Sequence, residues 1–177
     1  MQELNGGFDI DASRPSIRVE QKGWMSMIPN PFVAEAQDIA RNAGLDPALV
    51  CAIVEQESSW NTLAIRYEPQ FFARYVAPLV GSDEMKLATE TESRSRSFSW
   101  GLMQILGQCA REIGFEGLYL SELLQPQVGL KFGCRLLARE LRRADGDVER
   151  ALQLWNGGAN PNYAPAVLAR MGKYREM

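Results

Sequence analysis

The stretch Asp46-Pro47-Ala48-Leu49-Val50-Cys51-Ala52-Ile53-Val54-Glu55-Gln56-Glu57-Ser58 reads as a helix with a capping aspartate, a first-turn proline and an acidic end. An aspartate side chain accepts from the unpaired amides of a first turn, and proline has no amide to leave unpaired there. Spacings of three and four put Val50, Ile53, Val54 and Glu57 on one face. The helix is therefore expected to be mostly buried, with Glu57 at its C-terminal end.

Working outward, the same signals recur. Asn30-Pro31 opens a helix that closes at Gly44, and Pro69 opens one through FFARYVAPLVG. Ser82, followed by Asp83 and Glu84, reads as the cap of a short helix, and residues 89–99 (TETESRSRSFS) read as a polar loop. Gly101 to Ile113 is predicted as a helix stopped by Gly114, with Ser121 capping a short turn. Pro126 to Ala144 carries an apolar stripe through Val128, Leu130, Phe132, Leu136, Leu137 and Leu141. Asp147 caps VERALQLWN up to Gly157-Gly158, and a last helix runs from about Asn162 to Tyr174. No strand-length alternation and no internal repeat stands out, so the expected fold is all-α or nearly so.

At 177 residues the chain suits one domain with its own core. Residues 1–29 are polar and lack periodicity, so they read as an N-terminal arm, disordered or docked on a protein partner. The domain proper is residues 30–177. The net charge of −3, from 19 basic and 22 acidic residues, offers no broad basic surface for nucleic acid. No window approaches the roughly 18 apolar residues of a membrane span, and the N-terminal sequence lacks a signal-peptide pattern. Action outside the cytoplasm then implies delivery by another route. Cys51, Cys109 and Cys134 are too scattered for a metal knuckle or disulfide framework and read as buried free thiols, with one oxidised pair as the alternative.

The absence of histidine decides most about chemistry. Ser-His-Asp hydrolases, Cys-His enzymes and His-ligated zinc enzymes all need an imidazole. An enzyme built on this chain must use a carboxylate, Lys, Tyr or Cys as its acid or base. A carboxyl group that is still protonated near neutral pH must be partly desolvated, and a Glu ending an apolar helix suits that requirement.

Four stretches follow in order: Glu57-Ser58-Ser59-Trp60-Asn61, Gly101-Leu102-Met103-Gln104-Ile105, residues 123–137 (LLQPQVGLKFGCRLL), and Leu154-Trp155-Asn156-Gly157-Gly158. Together they resemble the soluble lytic transglycosylase family, which has the goose-type lysozyme fold, over roughly residues 31–175. The resemblance implies a peptidoglycan substrate, no metal or cofactor, and a Glu matching Glu57 as both acid and base. It implies that this Glu protonates the leaving oxygen between N-acetylmuramic acid and N-acetylglucosamine. The Glu then deprotonates the sugar's own hydroxyl, closing an anhydro ring without water. Ser58, Met103, Gln104, Trp155, Asn156 and Tyr163 fall on stretches that the resemblance assigns to the sugar cleft. Met103 reads equally well as core.

The chain also departs from the family pattern. Trp155 stands where a Tyr usually orients the acid, and indole offers only a donor from a different position. Arg66 stands where a Ser is common, with Ser97 or Ser99 as substitute hydroxyls, and an insertion of roughly twenty or more residues precedes Gly101. Glu68 within that insertion is a candidate second acid, its alternative being a salt bridge to a nearby Arg. Tyr67, Phe71, Phe72 and Tyr75 read either as a flap over the glycan or as the core side of their helix. The insertion resembles bacteriophage lysis and virion versions of the domain, implying release through a membrane pore of the holin type or carriage in a virion. Two rival readings stand beside the transglycosylase: a hydrolytic muramidase on the same scaffold, and a virion structural protein whose cleft only grips glycan.

Overall fold

The computed structural model describes residues 30–82, 89–158 and 160–176. The arm at residues 1–29 and the helix expected after Ser82 lie outside the described residues, apart from Ser82 itself. Helix α1 (Phe32–Asn42) starts where the Asn30 side chain accepts from the Phe32 amide at 3.0 Å. It buries Val33, Ala36 and Ala40 on one stripe. Helix α2 (Pro47–Ser58) starts where Asp46 accepts from the Ala48 amide at 2.8 Å. Every residue from Ala48 to Val54 is buried, so α2 is enclosed on all sides and forms the axis of the domain. Its end is abrupt: Ser59 and Trp60 both take left-handed backbone conformations, with φ of 49° and 66°. Each costs a non-glycine residue of order 1 kcal/mol and persists only where tertiary contacts hold it.

Three short strands follow, β1 (Ile65–Tyr67), β2 (Phe98–Trp100) and β3 (Ile105–Leu106), forming one antiparallel sheet in that order. Arg66 lies opposite Ser99, and Tyr67 opposite Phe98. Strands of two or three residues are too short to show alternation, which is why sequence pattern did not reveal them. The fold remains nearly all α.

Between β1 and β2 the chain forms α3 (Pro69–Phe71), a π-helical turn (Phe72–Val76) and a 3-10 turn (Ala77–Leu79). Only Val76 is buried there, while Tyr67 and Tyr75 are exposed, so this segment is not the core-packed helix of one expectation. Residues 89–99 are not a loop. Thr89 caps α4 (Glu90–Ser95) by accepting from the Glu92 amide, and Glu90–Arg94 and Glu92–Arg96 pairs brace its turns.

The helix expected over 101–113 is likewise divided. Gly101 and Gln104 adopt φ of 66° and 46°, breaking any helical start, and β3 then precedes α5 (Gly107–Glu112). A Cβ on Gly101 would lie 2.5 Å from the Leu123 carbonyl oxygen, so the turn needs glycine both for its backbone and for its packing.

A 3-10 turn (Leu120–Leu124), capped by Tyr119 and Glu122 rather than by Ser121, leads into α6 (Pro126–Arg143). Helix α7 (Val148–Trp155) is capped by Asp147, and α8 (Tyr163–Arg175) closes the domain. Cys51, Cys109 and Cys134 are free thiols; burial raises the Cys51 and Cys134 pKa values to about 12 and that of Cys109 to about 11, so they stay protonated. No helix of the described residues is long and apolar enough to cross a membrane.

Candidate active site

Glu57 projects from the last turn of α2, and two side chains from far along the chain meet one of its oxygens. Tyr163, first residue of α8, donates its hydroxyl to Glu57 Oε1 at 2.5 Å, and Trp155, last residue of α7, donates its indole N–H to the same atom at 3.0 Å. The Trp at this position therefore does make a bond to the acid, as a donor from the end of α7. Burial raises the Glu57 pKa above the ordinary carboxylic value of 4.5, opposed by the bonds from Tyr163 and Trp155 and by the nearby charge of Arg66. Burial first, and then the charge of Glu57, pushes the Tyr163 hydroxyl well above its ordinary value, so it remains a donor.

The sheet carries the two charged groups whose fields reach Glu57, Arg66 and Glu68. Arg66 Nε donates to Glu68 Oε1 at 2.5 Å, and Ser99 Oγ reaches the same oxygen at 3.4 Å. Arg66, Glu68 and Ser99 thus share one face of the sheet, while Ile65, Tyr67, Phe98 and Trp100 occupy the other. Glu68 makes the salt bridge that the sequence offered as its alternative role, and its charge also acts on Glu57. Ser97 is fully buried and its hydroxyl has no partner among the described residues, so it does not substitute for the missing serine beside the acid.

One hydrogen bond ties the turn between β2 and β3 to α2, and two more hold that turn to itself and to the chain before β1. Ser58 Oγ donates to the Leu102 carbonyl at 2.8 Å, and Gln104 Nε2 donates to the Ala64 and Gly101 carbonyls at 3.0 and 2.9 Å. Ser58 therefore spends its proton on the scaffold rather than on a sugar. Gln104 spends its donors in the same way, leaving its amide oxygen without a described partner. Met103 is a correction: it is fully buried, with its side chain over Gly133, and so belongs to the core and not to a cleft wall. Asn156 donates to the Asn160 carbonyl at 3.4 Å, closing the turn after α7.

Sequence reading missed a second carboxylate cluster on the opposite flank of α2. Tyr174 donates to Glu55, Lys173 lies 3.2 Å from Glu55, and the Trp60 indole donates to Tyr174 at 2.9 Å. Burial of Glu55 works to raise its pKa, but Tyr174 and Lys173 outweigh it and hold the carboxyl below its ordinary value. Helix α8 therefore grips the end of α2 through a tyrosine at each of its own ends. Local sequence carried no signal for this pairing, which spans 119 residues. Among the described residues no group of three or more metal-ligating side chains comes together.

The arrangement sets a buried, donor-held carboxyl group within reach of the charges on a polar strand face. Residues 35–166 match the family model described as "Transglycosylase SLT domain". No solved structure matches the chain. The match covers most of the sequence and spans Glu57, the Gly101 turn and Trp155, so the chain belongs to the transglycosylase SLT domain family, with a lysozyme-like, mostly helical fold and peptidoglycan as substrate.

Proposed function

We propose that the protein is a peptidoglycan lytic transglycosylase in which Glu57 acts first as acid and then as base. The observation that carries this is the double hydrogen bond from Tyr163 and Trp155 to Oε1 of a buried Glu57. With both donors on Oε1, Oε2 is the oxygen that bears the proton, and burial favours that protonated form. Oε2 delivers the proton to the glycosidic oxygen as the bond to the muramic C1 breaks. The two donors then stabilise the carboxylate left behind, in the position where charge develops. That carboxylate takes the proton of the muramic sugar's own hydroxyl, whose oxygen closes on C1 as the anhydro ring. Both half-reactions use one carboxyl group.

Glu57→Gln should reduce clearing of purified murein by a factor on the order of 10²–10⁴ while the protein stays folded. Clearing retained at the wild-type rate would overturn the assignment of Glu57. Wild-type protein that binds murein without cutting it would favour the glycan-gripping reading instead.

The hydrolytic alternative rests on Glu68, which would have to activate a water. Its Oε1 is already engaged by Arg66 and Ser99, which favours the single-acid route. Mass spectrometry of the products separates them, because anhydro ends follow transglycosylation and free reducing ends follow hydrolysis. The place of action on this reading is the cell wall, reached through holin-type release or in a virion. Support for that route is the resemblance of the insertion before Gly101 to bacteriophage versions of the domain, and lysis assays with and without a co-expressed holin test it.

A further inference from the structure

Resting on the reading of this cleft as the peptidoglycan site, we infer that Arg66 is a specificity residue that binds a carboxylate of the substrate beside the bond being cut. Arg66 stands at the middle of β1, opposite Ser99, on the sheet face that it shares with Glu68. One bond fixes its orientation: Nε donates to Glu68 Oε1 at 2.5 Å, and Ser99 braces the same carboxylate oxygen at 3.4 Å. The two terminal nitrogens meet no described residue, and the side chain is 66% exposed. A guanidinium held through Nε presents those nitrogens as a fork matched to a carboxylate.

The strand is anchored at the cleft as well. Ala64, two residues before Arg66, accepts from Gln104 at 3.0 Å and from the Gly101 amide at 2.8 Å, while Leu102 accepts from Ser58, the neighbour of Glu57. The charge of Arg66 is felt at the Glu57 carboxyl, in keeping with this anchoring of the strand beside the end of α2.

Peptidoglycan differs from an uncharged aminosugar chain in a way that suits this fork. Each muramic residue bears a lactyl group, which ends in a free carboxylate or continues as a stem peptide carrying its own carboxylates. Either source supplies a bidentate partner near the muramic C1.

The test compares three substrates: murein with intact stem peptides, murein stripped by an amidase so that lactyl carboxylates are free, and the stripped material with those carboxylates capped as methylamides. Wild-type protein should cut at least one carboxylate-bearing form about tenfold to a hundredfold more efficiently, in kcat/KM, than the capped form. Arg66→Gln should lose that preference, and Arg66→Lys should keep part of it. A preference for intact murein alone identifies the stem peptide as the source, and one extending to stripped murein identifies the lactyl group. Equal cutting of all three forms by wild-type protein, or an unchanged preference in Arg66→Gln, overturns the inference. Calorimetric binding of soluble fragments of the three substrates to Glu57→Gln protein, with and without Arg66→Gln, asks the same question without turnover. It therefore stands or falls separately from the assignment of the acid.

Discussion

The Tyr163 hydroxyl and the Glu57 carboxyl, separated by 106 residues of sequence, lie 2.5 Å apart, with the tyrosine as donor. The bond opposes the effect of burial: it favours the charged form of Glu57, whereas the apolar surroundings favour the neutral one. The carboxyl is thus held between two environments, as the proposed role of acid and then base requires.

Tyr163→Phe removes the larger of the two hydrogen bonds that lower the Glu57 pKa, so that pKa rises further. Glu57 must be protonated to act as acid, and activity is lost as pH rises through its pKa. The basic limb of the kcat/KM profile should therefore move to higher pH. The maximal rate should fall roughly tenfold to a hundredfold because the carboxyl is less well positioned. Trp155→Phe should move the limb the same way by less. A pH-rate series on purified murein checks both, and a limb moving to lower pH would contradict the geometry.

Glu57→Gln should stabilise the fold at neutral pH. Its folded pKa lies above the unfolded value of 4.5, so the native state binds the proton more tightly and wild-type stability falls as pH rises through the folded pKa. The glutamine carries no such penalty. Melting curves should show a higher Tm for the variant at pH 8, with the gain vanishing by pH 4.

Glu92 makes the opposite case. Burial works to raise its pKa, but Arg111, at 2.8 Å, and Arg96, at 3.1 Å, outweigh it and hold the carboxyl below 4.5. Glu92→Gln should cost about 2 kcal/mol at pH 7, less than for a fully enclosed pair because 19% of the side chain still meets water. That contribution is present above pH 4.5 and is lost as pH falls through the lowered folded pKa. Urea titrations of both proteins should therefore differ at pH 7 and converge on strong acidification.

Gly133→Ala should destabilise by about 1–3 kcal/mol, because the new methyl group would lie 2.2 Å from Met103 Sδ and 3.0 Å from Met103 Cβ. Chemical denaturation measures the loss. A much smaller cost of Gly133→Ala when it is made in a Met103→Ala background would show that the clash is with this side chain.

The helices with strong local signals were legible in sequence: Asp46-Pro47 for α2, Asp147 for α7, and Pro126 with its apolar stripe for α6. Residues 89–106 were not. Thr89 with Glu92 three residues on is a helix-start pattern, but a helix with Ser93 as its only buried residue lacks the apolar stripe that sequence reading relies on. The break at Gly101 and Gln104 depends on left-handed backbone angles, and that at Gln104 has no glycine to announce it. At the site, the position of Glu57 was readable because a helix fixes it locally. The partners of its carboxyl were harder to read, because Trp155 and Tyr163 reach it only through packing across 98 and 106 residues.

The grip of α8 on α2 also has a consequence for when, during synthesis, the proposed site can be complete. Translation yields α2 and the sheet well before Tyr163 and Tyr174, so a nascent chain carries Glu57 before its tyrosine donor has been made. A ribosome stalled before α8, or a protease that removes that helix, leaves a fragment without the Tyr163 donor to Glu57 and without the Tyr174 donor to Glu55. The full set of donors to Glu57 therefore arrives with α8, the latest of the described helices to be synthesised, and on the proposed mechanism a chain cut short of it should not cut wall.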